Sequence, residues 1–308
     1  MIVEEIPPAL GGERLDRVVS LLADVTRSEA ASLVEGGHVR LDGIVSVVGK
    51  LRVQVGQQIE IDESGVPVSA PPAADPAVVC DVIYDDDDVI VVNKAVGQVV
   101  HPGAGNGDRT LVNGLLARYP ELSRVGEQHR PGIVHRLDVG TSGLLVVARS
   151  QLAYDVLVSA LAQRLVVREY VCLVWGQPEA NQGVIDAPIG RDPRDPMRMA
   201  VVASGKPSRT RFEVVERFGR PKVALLRCRL ETGRTHQIRV HLSGSGFPVV
   251  GDATYGGSRS QIRLGRPFLH AARLGFDHPR SGQHLEFDAP LPDDLQAILD
   301  ALARGDLG

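Results

Sequence analysis

Cysteine is scarce in this sequence. Its 308 residues include only Cys80, Cys172 and Cys228, which lie far apart and form no C-x-x-C pair. Disulfide frameworks and structural zinc sites need paired or closely spaced cysteines, so neither is expected here. We predict three buried thiols and no metal site.

Long apolar runs are also missing. No run approaches the roughly 20 residues that a spanning helix needs, and the first residues, MIVEEIPPALGGERLD, carry acids where a signal peptide would be basic and apolar. With 43% hydrophobic and 23% charged residues and a mean hydropathy of -0.01, the composition is that of a soluble chain that fills one large domain or two. We expect a cytoplasmic protein that does not enter a membrane.

The common nucleotide-binding and hydrolase motifs do not occur. The Gly-Lys pairs at 49–50 and 205–206 lack the glycine and the Ser or Thr of a P-loop. The GAGNG run at 103–107 lacks G-x-G-x-x-G spacing and is interpreted as a loop. Residues 140–143 are one residue short of a G-x-S-x-G nucleophile elbow. The chemistry of the chain must therefore come from other residues.

Charge is unevenly distributed along the chain. The formal net charge is -4, but residues 1–78 hold 6 basic and 12 acidic residues, whereas residues 191–239 hold 13 basic and 5 acidic ones. The second stretch can form a basic surface for a nucleic acid. Alternatively, its arginines form a solvated face that pairs with scattered acids, and the charge pattern alone leaves both interpretations open.

The clearest boundary lies at residues 65–78. This stretch, GVPVSAPPAADPAV, contains four prolines and almost no charge, which is typical of a linker between domains. We therefore predict a small domain at 1–64 and a larger one at 79–308.

The small domain has the pattern of two helices and a few short strands. Apolar spacing predicts a helix at 14–25, and a second helix should begin after an N-cap at Ser28 and end at Gly36-Gly37. Short β segments follow on both sides of an Asp42-Gly43 turn, and another covers 57–61.

The larger domain is rich in strands without regular βα alternation, which predicts an α+β fold around a mixed, mostly antiparallel sheet. Asp85–Asp88 could attract a divalent ion, but directly before a strand a solvated turn is the preferred interpretation. Strands are predicted at 89–94, 143–149, 169–176, 211–218, 222–230 and 284–290, and helices at 110–118, 151–163 and 292–303.

Four polar segments lie between the apolar strands. They are NKAVGQVVHPGAGN (93–106), HRLDVGTSGLLVVAR (135–149), REYVCLVWG (168–176) and LETGRTHQIRVHL (230–242). In order and separation they resemble the signature segments of the RluA/RluD family of RNA pseudouridine synthases, and VVHPGAGN is most similar to the D-type enzymes that modify large-subunit (23S) ribosomal RNA.

The small domain resembles an S4-type RNA-binding domain through RLDRVV, the T-R-S start of its second helix, and GGHVRLDG. Two positions depart from the family pattern: Ala95 stands where the family usually has proline, and Asp42 stands where it has asparagine.

The resemblance implies the roles of four side chains. Asp138 would be the nucleophile, Arg239 the guanidinium that grips both of its oxygens, Tyr170 the ring that stacks on the uracil, and Arg136 the residue that fills the space of the flipped nucleotide or contacts its phosphate. The reaction breaks the bond from ribose to N1 and joins C5 to the same carbon, so it needs no cofactor. Attack by Asp138 on the base, attack on the sugar, and removal of a sugar proton all use this carboxylate.

A short helix is expected around Arg239. Thr235 can cap it, and Ile238 and Leu242 would share one face and leave Arg239 directed into a cleft. We assign no acid–base role to His101, His135 or His236, which can hold loops by hydrogen bonds.

The expected partner is large-subunit ribosomal RNA or its precursor, and we expect a monomer. The first domain is acidic overall, which we explain by acids that lie away from its binding face. The candidate phosphate contacts are Arg27, Arg40, Lys50, Arg52, Arg168, Arg191, Arg194, Arg198, Lys206, Arg209 and Arg234.

Two other functions compete with the isomerase. A non-catalytic RNA-binding ribosome-assembly factor would need only the S4-type domain and a basic cleft, and it would have no need of the three catalytic side chains together. A carboxylate glycosidase would need a second acid paired with Asp138, and no other segment offers an obvious one.

Overall fold

The structure is a computed structural model that describes residues 1–23, 25, 27–65, 71–102 and 109–307. The chain forms two compact units, one of residues 1–71, 102 and 191–198 and the other of residues 72–101, 109–190 and 199–308. Residues 66–70 of the predicted linker and the predicted glycine-rich loop at 103–107 lie outside the described residues. The exact domain boundaries therefore stay a prediction.

The first unit contains two helices and a four-stranded antiparallel sheet. Leu15, Val18 and Val19 of its first helix are fully buried, as the apolar spacing predicted. Asp42 and Gly43 have positive φ angles of 50° and 76°, which is the geometry of the predicted tight turn. The elements are β1 (Ile2–Glu5), α1 (Leu15–Leu22), α2 (Arg27–Glu35), β2 (Val39–Leu41), β3 (Ile44–Val45) and β4 (Gln58–Ile61), in the strand order β1-β4-β2-β3.

Two details of the first unit differ from the prediction. α2 begins at Arg27, so Ser28 lies in its first turn and is not the N-cap. β1 was not predicted because its sequence, IVEE, does not alternate between apolar and polar residues. It forms an edge strand that pairs with β4 alone, so backbone hydrogen bonds define it more than side-chain burial does.

The second unit is built around a nine-stranded sheet. Its strands are β5 (Val82–Asp85), β6 (Val89–Lys94), β7 (Ser142–Ala148), β8 (Val167–Trp175), β9 (Gln182–Asp186), β12 (Arg209–Phe218), β13 (Val223–Leu230), β14 (Leu269–Asp277) and β15 (His284–Asp288). A separate hairpin consists of β10 (Ile189–Asp192) and β11 (Asp195–Val201), and the helices are α3 (Leu111–Arg118), α4 (Gln151–Ala162), α5 (Gln237–Gly244) and α6 (Asp293–Arg304). In the described ranges, no helix combines the length and the apolar character that crossing a membrane requires.

The large sheet is mixed and mostly antiparallel, which confirms the predicted α+β class. Its order is β5-β6-β7-β14-β8-β13-β12-β9, with β15 paired to β14. Among the described pairs, β7 and β14 are parallel and the other strand pairs of this sheet are antiparallel. β14 therefore lies between β7 and β8, the strands that overlap two of the polar segments, 135–149 and 168–176.

Both faces of the sheet are covered. In β6, Ile90 and Val92 join the core that includes α3 and α6, whereas Val89 and Val91 join the core that includes α4. A strand that is buried on both faces has continuous apolar residues, as in VIVV and GLLVVA. Of the cysteines, Cys172 and Cys228 are buried and Cys80 is partly buried, and all three are free.

The acidic turn at 85–88 is tied into the fold. Asp88 is 3% exposed and accepts two hydrogen bonds from Arg280, at 2.6 and 2.7 Å, and these lower the pKa of Asp88 to about 2. Asp86 accepts the backbone N–H groups of Asp88 and Val89. The predicted solvated turn is therefore wrong for Asp88. No cluster of His, Cys, Asp and Glu that could hold a metal occurs among the described residues.

Gly143 lies where β7 meets β14, and we expect Gly143→Ala to destabilise the protein. Its φ is 111°, and a Cβ there would lie 2.3 Å from the Ala271 carbonyl oxygen. Backbone strain and crowding together should lower the free energy of unfolding by about 2–3 kcal/mol. Urea unfolding measures this, with Gly219→Ala as control because no atom lies within 4 Å of its added Cβ. An equal loss in both variants would contradict the explanation.

Candidate active site

A cavity of about 610 Å³ lies in the second unit, within the range of small-molecule sites, about 300–1,000 Å³. Most of its wall comes from residues 134–138, 161–170 and 230–239. Each of these stretches overlaps one of the polar segments singled out in the sequence. The fold therefore brings three of the four segments together around one space.

Asp138 lies in the loop before β7 and lines the cavity with 16% of its side chain exposed. The preceding residue, Leu137, is buried in the core and anchors the loop. The described part of the remaining polar segment, residues 93–102, does not line the cavity. It supports this loop, because the Gly97 N–H donates a hydrogen bond of 2.8 Å to the Val139 carbonyl. The buried Leu137 before Asp138 and the hydrogen bond to Val139 after it fix the position of Asp138.

Lys94 holds the supporting turn. Its ammonium group is buried and donates hydrogen bonds to the carbonyls of Ala95 and Gln98, at 2.8 and 2.9 Å. Burial lowers the pKa of Lys94 to about 8, although the charge of Asp138 raises it. The lysine of the first polar segment thus orders the loop that carries Asp138.

α5 places Arg239 at the cavity, as predicted, but its start differs from the prediction. Its N-cap is His236, in the left-handed conformation with φ 55°, and no side chain caps it. The predicted cap by Thr235 is therefore wrong. Ile238 and Leu242 are buried in the core, which directs Arg239 toward Asp138.

The guanidinium of Arg239 joins two carboxylates. It donates from Nε and Nη2 to the two oxygens of Asp252, at 2.7 and 2.9 Å, and from Nη1 to Oδ2 of Asp138, at 3.1 Å. Burial lowers the pKa of Arg239, but the hydrogen bonds and charges of both carboxylates outweigh this and raise it. The predicted grip of Arg239 on both oxygens of Asp138 is wrong, because its two-point grip is on Asp252 and a single bond reaches Asp138.

Asp252 was missed by the sequence interpretation. Its Oδ1 also accepts the backbone N–H groups of Thr254 and Tyr255, so the carboxylate stabilises its own turn while it orients Arg239. An Asp at the start of a tight turn, in GDATYGG, was the available signal. That signal indicates a turn and says nothing about a buried arginine.

His236 lies between Tyr255 and Asp138. The Tyr255 hydroxyl accepts the Met199 N–H at 3.1 Å and lies 2.9 Å from His236 Nδ1. The other ring nitrogen, Nε2, is 4.0 Å from Oδ2 of Asp138. Burial lowers the pKa of His236, although Asp138 raises it. The imidazole of His236 therefore faces Asp138 through Nε2.

Tyr170 and Arg136 line the same cavity. Tyr170 lies on β8 with 5% exposure, and burial raises the pKa of its phenol to about 12. Arg136 is exposed, two residues before Asp138. A buried aromatic ring and an exposed cation thus lie in the same cavity as the carboxylate.

The sequence matches the family described as RNA pseudouridylate synthase over residues 88–244, which is half of the chain, and the S4 domain over residues 13–59. The chain belongs to the RNA pseudouridylate synthase family. It is therefore an isomerase that acts on RNA, and the predicted family and enzyme class are confirmed.

Similar proteins cover nearly the whole enzyme. It is 44% identical to the uncharacterized RNA pseudouridine synthase YlyB of Bacillus subtilis, over 95% of both chains. It is 43% identical to the ribosomal large subunit pseudouridine synthase D of Nitrosomonas europaea, over 96% of this chain and 86% of that protein. The solved structure of human RNA pseudouridylate synthase domain containing 1 matches with a TM-score of 0.56 and 29% identity, over 73% of this chain and 95% of the human one.

Arg168 does not lie where a contact to the RNA backbone was expected. It is 7% exposed and lines the cavity on the same strand as Tyr170. A surface contact between Arg168 and a phosphate is therefore excluded by its burial. Arg234 is exposed at the wall of the cavity, as a contact to RNA requires.

The candidate RNA contacts of the first unit are exposed. Arg27 lies 3.7 Å from the buried Asp16 near the start of α1, and Arg52 pairs with the chain just before α1 and donates to the Gly12 carbonyl. Lys50 lies between them in sequence and is exposed. Arg40 is exposed on β2. Their role in RNA binding stays a prediction.

We expect the protein to lose stability between pH 7 and pH 5 because of His135. Burial, together with the charge of Arg168, lowers the pKa of His135 to about 3, while the ring accepts the Val146 N–H. The unfolded chain takes up a proton near pH 6.5 and His135 in the native protein does not, so His135 alone should lower the free energy of unfolding by about 2 kcal/mol at pH 5. Burial also lowers the pKa values of His236, His241 and His270, which add to this loss. Urea unfolding at both pH values measures this.

Two variants test the assignment to this histidine. His135→Gln should remove about 2 kcal/mol of the pH dependence, whereas His129→Gln, at an exposed position, should keep it. If the free energy of unfolding of His135→Gln falls between pH 7 and pH 5 as much as that of the wild type, another group causes the pH dependence.

Proposed function

We propose that this enzyme converts selected uridines of large-subunit ribosomal RNA to pseudouridine, with Asp138 as the nucleophile. The observation that carries the proposal is the 3.1 Å contact between Asp138 and Arg239 at the wall of a cavity that Tyr170 also lines. The similarity to the large-subunit synthase D supports this RNA as substrate, and such a substrate favours a cytoplasmic location.

Asp138 has the surroundings of an oriented nucleophile. The single bond from Arg239 to Oδ2 leaves the other oxygen of Asp138, Oδ1, available to a substrate. The fixed charge of Arg239 and the imidazole of His236 lie on the Oδ2 side. Arg239 thus holds Oδ2 of Asp138 in place, and Oδ1 can react with the substrate.

Tyr170 and Arg136 fit a flipped nucleotide. A uridine within a helix is out of reach, so the enzyme must extrude it at a cost of a few kcal/mol. Stacking on an aromatic face is worth about 1–3 kcal/mol per base, and Tyr170 is the aromatic residue among the described residues that line the cavity. Arg136 is exposed at the same cavity and can occupy the gap or bind a phosphate.

The charge of the cavity wall supports a polyanionic substrate. The described residues that line it include Arg130, Arg136, Arg164, Arg168, Arg234 and Arg239, against the two acids Asp138 and Glu231. A wall with this excess of arginine attracts the RNA backbone.

The glycosidase alternative is not favoured by this geometry. Glu231 lines the cavity, but it forms ion pairs with Arg164, Arg209 and Arg211 at 3.1, 3.6 and 2.5 Å. Both of its oxygens accept hydrogen bonds from guanidinium groups, whereas a glycosidase acid must donate a proton to the leaving group. Among the described residues that line it, the cavity therefore offers one nucleophilic carboxylate and no second acid placed to protonate a leaving group.

The test is to incubate the purified protein with unmodified large-subunit RNA and to map pseudouridine by carbodiimide treatment and primer extension. We expect new stops at a few uridines, and none on a small-subunit transcript. Absence of new stops on both free RNA and precursor particles would overturn the substrate assignment. Removal of residues 1–65 should weaken RNA binding and its salt dependence, and unchanged affinity would show that the first unit does not contribute.

A further inference from the structure

Arg168 is a buried cation without an acidic partner among the described residues. Three arginines in the described ranges are buried, and two of them, Arg239 and Arg266, bind Asp252 and Asp294 with two hydrogen bonds each. Arg168 forms no such pair, and its Nε is buried without a hydrogen-bond partner. Burial of an unpaired charge is costly, so the position of Arg168 indicates that it meets an anion that the free protein does not contain.

The position of Arg168 indicates which part of a substrate it meets. It lies two residues before Tyr170 on β8, so both side chains are on one face of the strand, about 7 Å apart along it. Its guanidinium lies against Gly233 at the cavity wall, where an added Cβ would be 2.8 Å from Nη1. A ring stacked on Tyr170 would therefore have an edge within reach of this group.

We propose that Arg168 stabilises the negative charge on uracil after its bond to ribose breaks. This proposal rests on the proposed function. If Asp138 bonds to C1′, or if Asp138 takes the C2′ proton and a C1′–C2′ double bond forms, the C1′–N1 electron pair stays on N1. The uracil is then an anion whose charge extends to O2 and O4, and a planar guanidinium suits two such oxygens.

A phosphate is a poorer fit to Arg168. The phosphates of a bound strand remain at the surface, where Arg136 and Arg234 are exposed beside the cavity. Arg168 is 7% exposed and belongs to the buried part of the wall. A charge that appears only during the reaction, inside the cavity, matches this placement.

The test compares Arg168→Met with the wild type on two RNAs, one with uridine and one with 5-fluorouridine at the target. Fluorine withdraws electrons and stabilises the detached base, so it should partly replace the lost cation. With saturating enzyme and a single turnover, we expect a loss of about 100-fold on uridine and about tenfold or less on 5-fluorouridine. The readout is disappearance of the target nucleoside after nuclease digestion and chromatography.

Two further variants test whether the charge and the position of the Arg168 guanidinium both matter. Arg168→Lys keeps a charge and should lose less than Arg168→Met, and Gly233→Ala crowds Nη1 and should slow the uridine reaction alone. Urea unfolding midpoints of Arg168→Met at or above wild type would show that folding is intact, as expected when an unpaired buried charge is removed.

Other outcomes overturn the proposal. Equal losses on the two RNAs, or a change confined to the Kd for RNA, would mean that Arg168 does not meet the detached base. Wild-type rates in Arg168→Met would refute this inference and leave the proposed function intact. If the wild type forms no pseudouridine at all, the proposed function itself fails.

Discussion

Asp138→Asn is expected to lower the single-turnover rate of pseudouridine formation by at least about 10,000-fold, with a change in the Kd for RNA of less than about threefold. The amide has nearly the shape of the carboxylate and its oxygen can still accept the hydrogen bond from Arg239, so the site should keep its geometry. It lacks the negative charge that every proposed role of Asp138 requires. Release of tritium from RNA labelled at uridine C5 measures the rate.

The control for this variant is Asp155→Asn, on the exposed side of α4. It makes the same chemical change away from the cavity and should react at the wild-type rate. If Asp138→Asn reacts within tenfold of the wild type, Asp138 is not the nucleophile and the proposed mechanism is wrong.

Asp252→Asn is expected to cost about 3–5 kcal/mol of folding free energy, because it leaves the buried Arg239 without its two-point partner. Folded molecules should also react about 10–100-fold more slowly, since Arg239 loses the contact that aims it at Asp138. Urea unfolding and single-turnover rates on the same preparations give both numbers.

Asp294→Asn is the control, because it breaks another two-point pair with a buried arginine, Arg266, and neither residue lines the cavity. The Asp294 side chain is 45% exposed, against 1% for Asp252, so the loss of stability should be smaller. It should lower stability and leave the single-turnover rate unchanged. A rate loss of equal size in both variants would show that Asp252 contributes to stability alone and does not position Arg239.

The sequence predicted the strongly patterned elements well. The helices at 110–118, 151–163 and 292–303 were found within one residue of α3, α4 and α6. β14 was missed although it lies in the middle of the sheet, since LHAARLGFD contains alanines, a glycine and charges where a strand normally has β-branched residues. Its neighbours define it as a strand, and a local pattern cannot show them.

In the candidate site, too, residues within a sequence motif were predicted, and residues defined by distant contacts were missed. Asp138, Arg239 and Tyr170 were named from the polar segments, and the fold brings all three to one cavity. Asp252 could not be found in this way, because its partner lies 13 residues away across a turn and an α-helix, and no periodicity encodes such a pair. The burial of Arg168 was equally invisible, since a charged residue in a sequence is normally assigned to the surface.

The position of β14 has a consequence for how the enzyme is made. β7 and β8 do not pair with each other, and β14, which lies between them, is translated about a hundred residues after β8. A growing polypeptide on the ribosome therefore holds the residues of all four polar segments before it can close the sheet around them. Catalytic competence should appear abruptly, late in translation, once residues 269–277 have emerged from the exit tunnel.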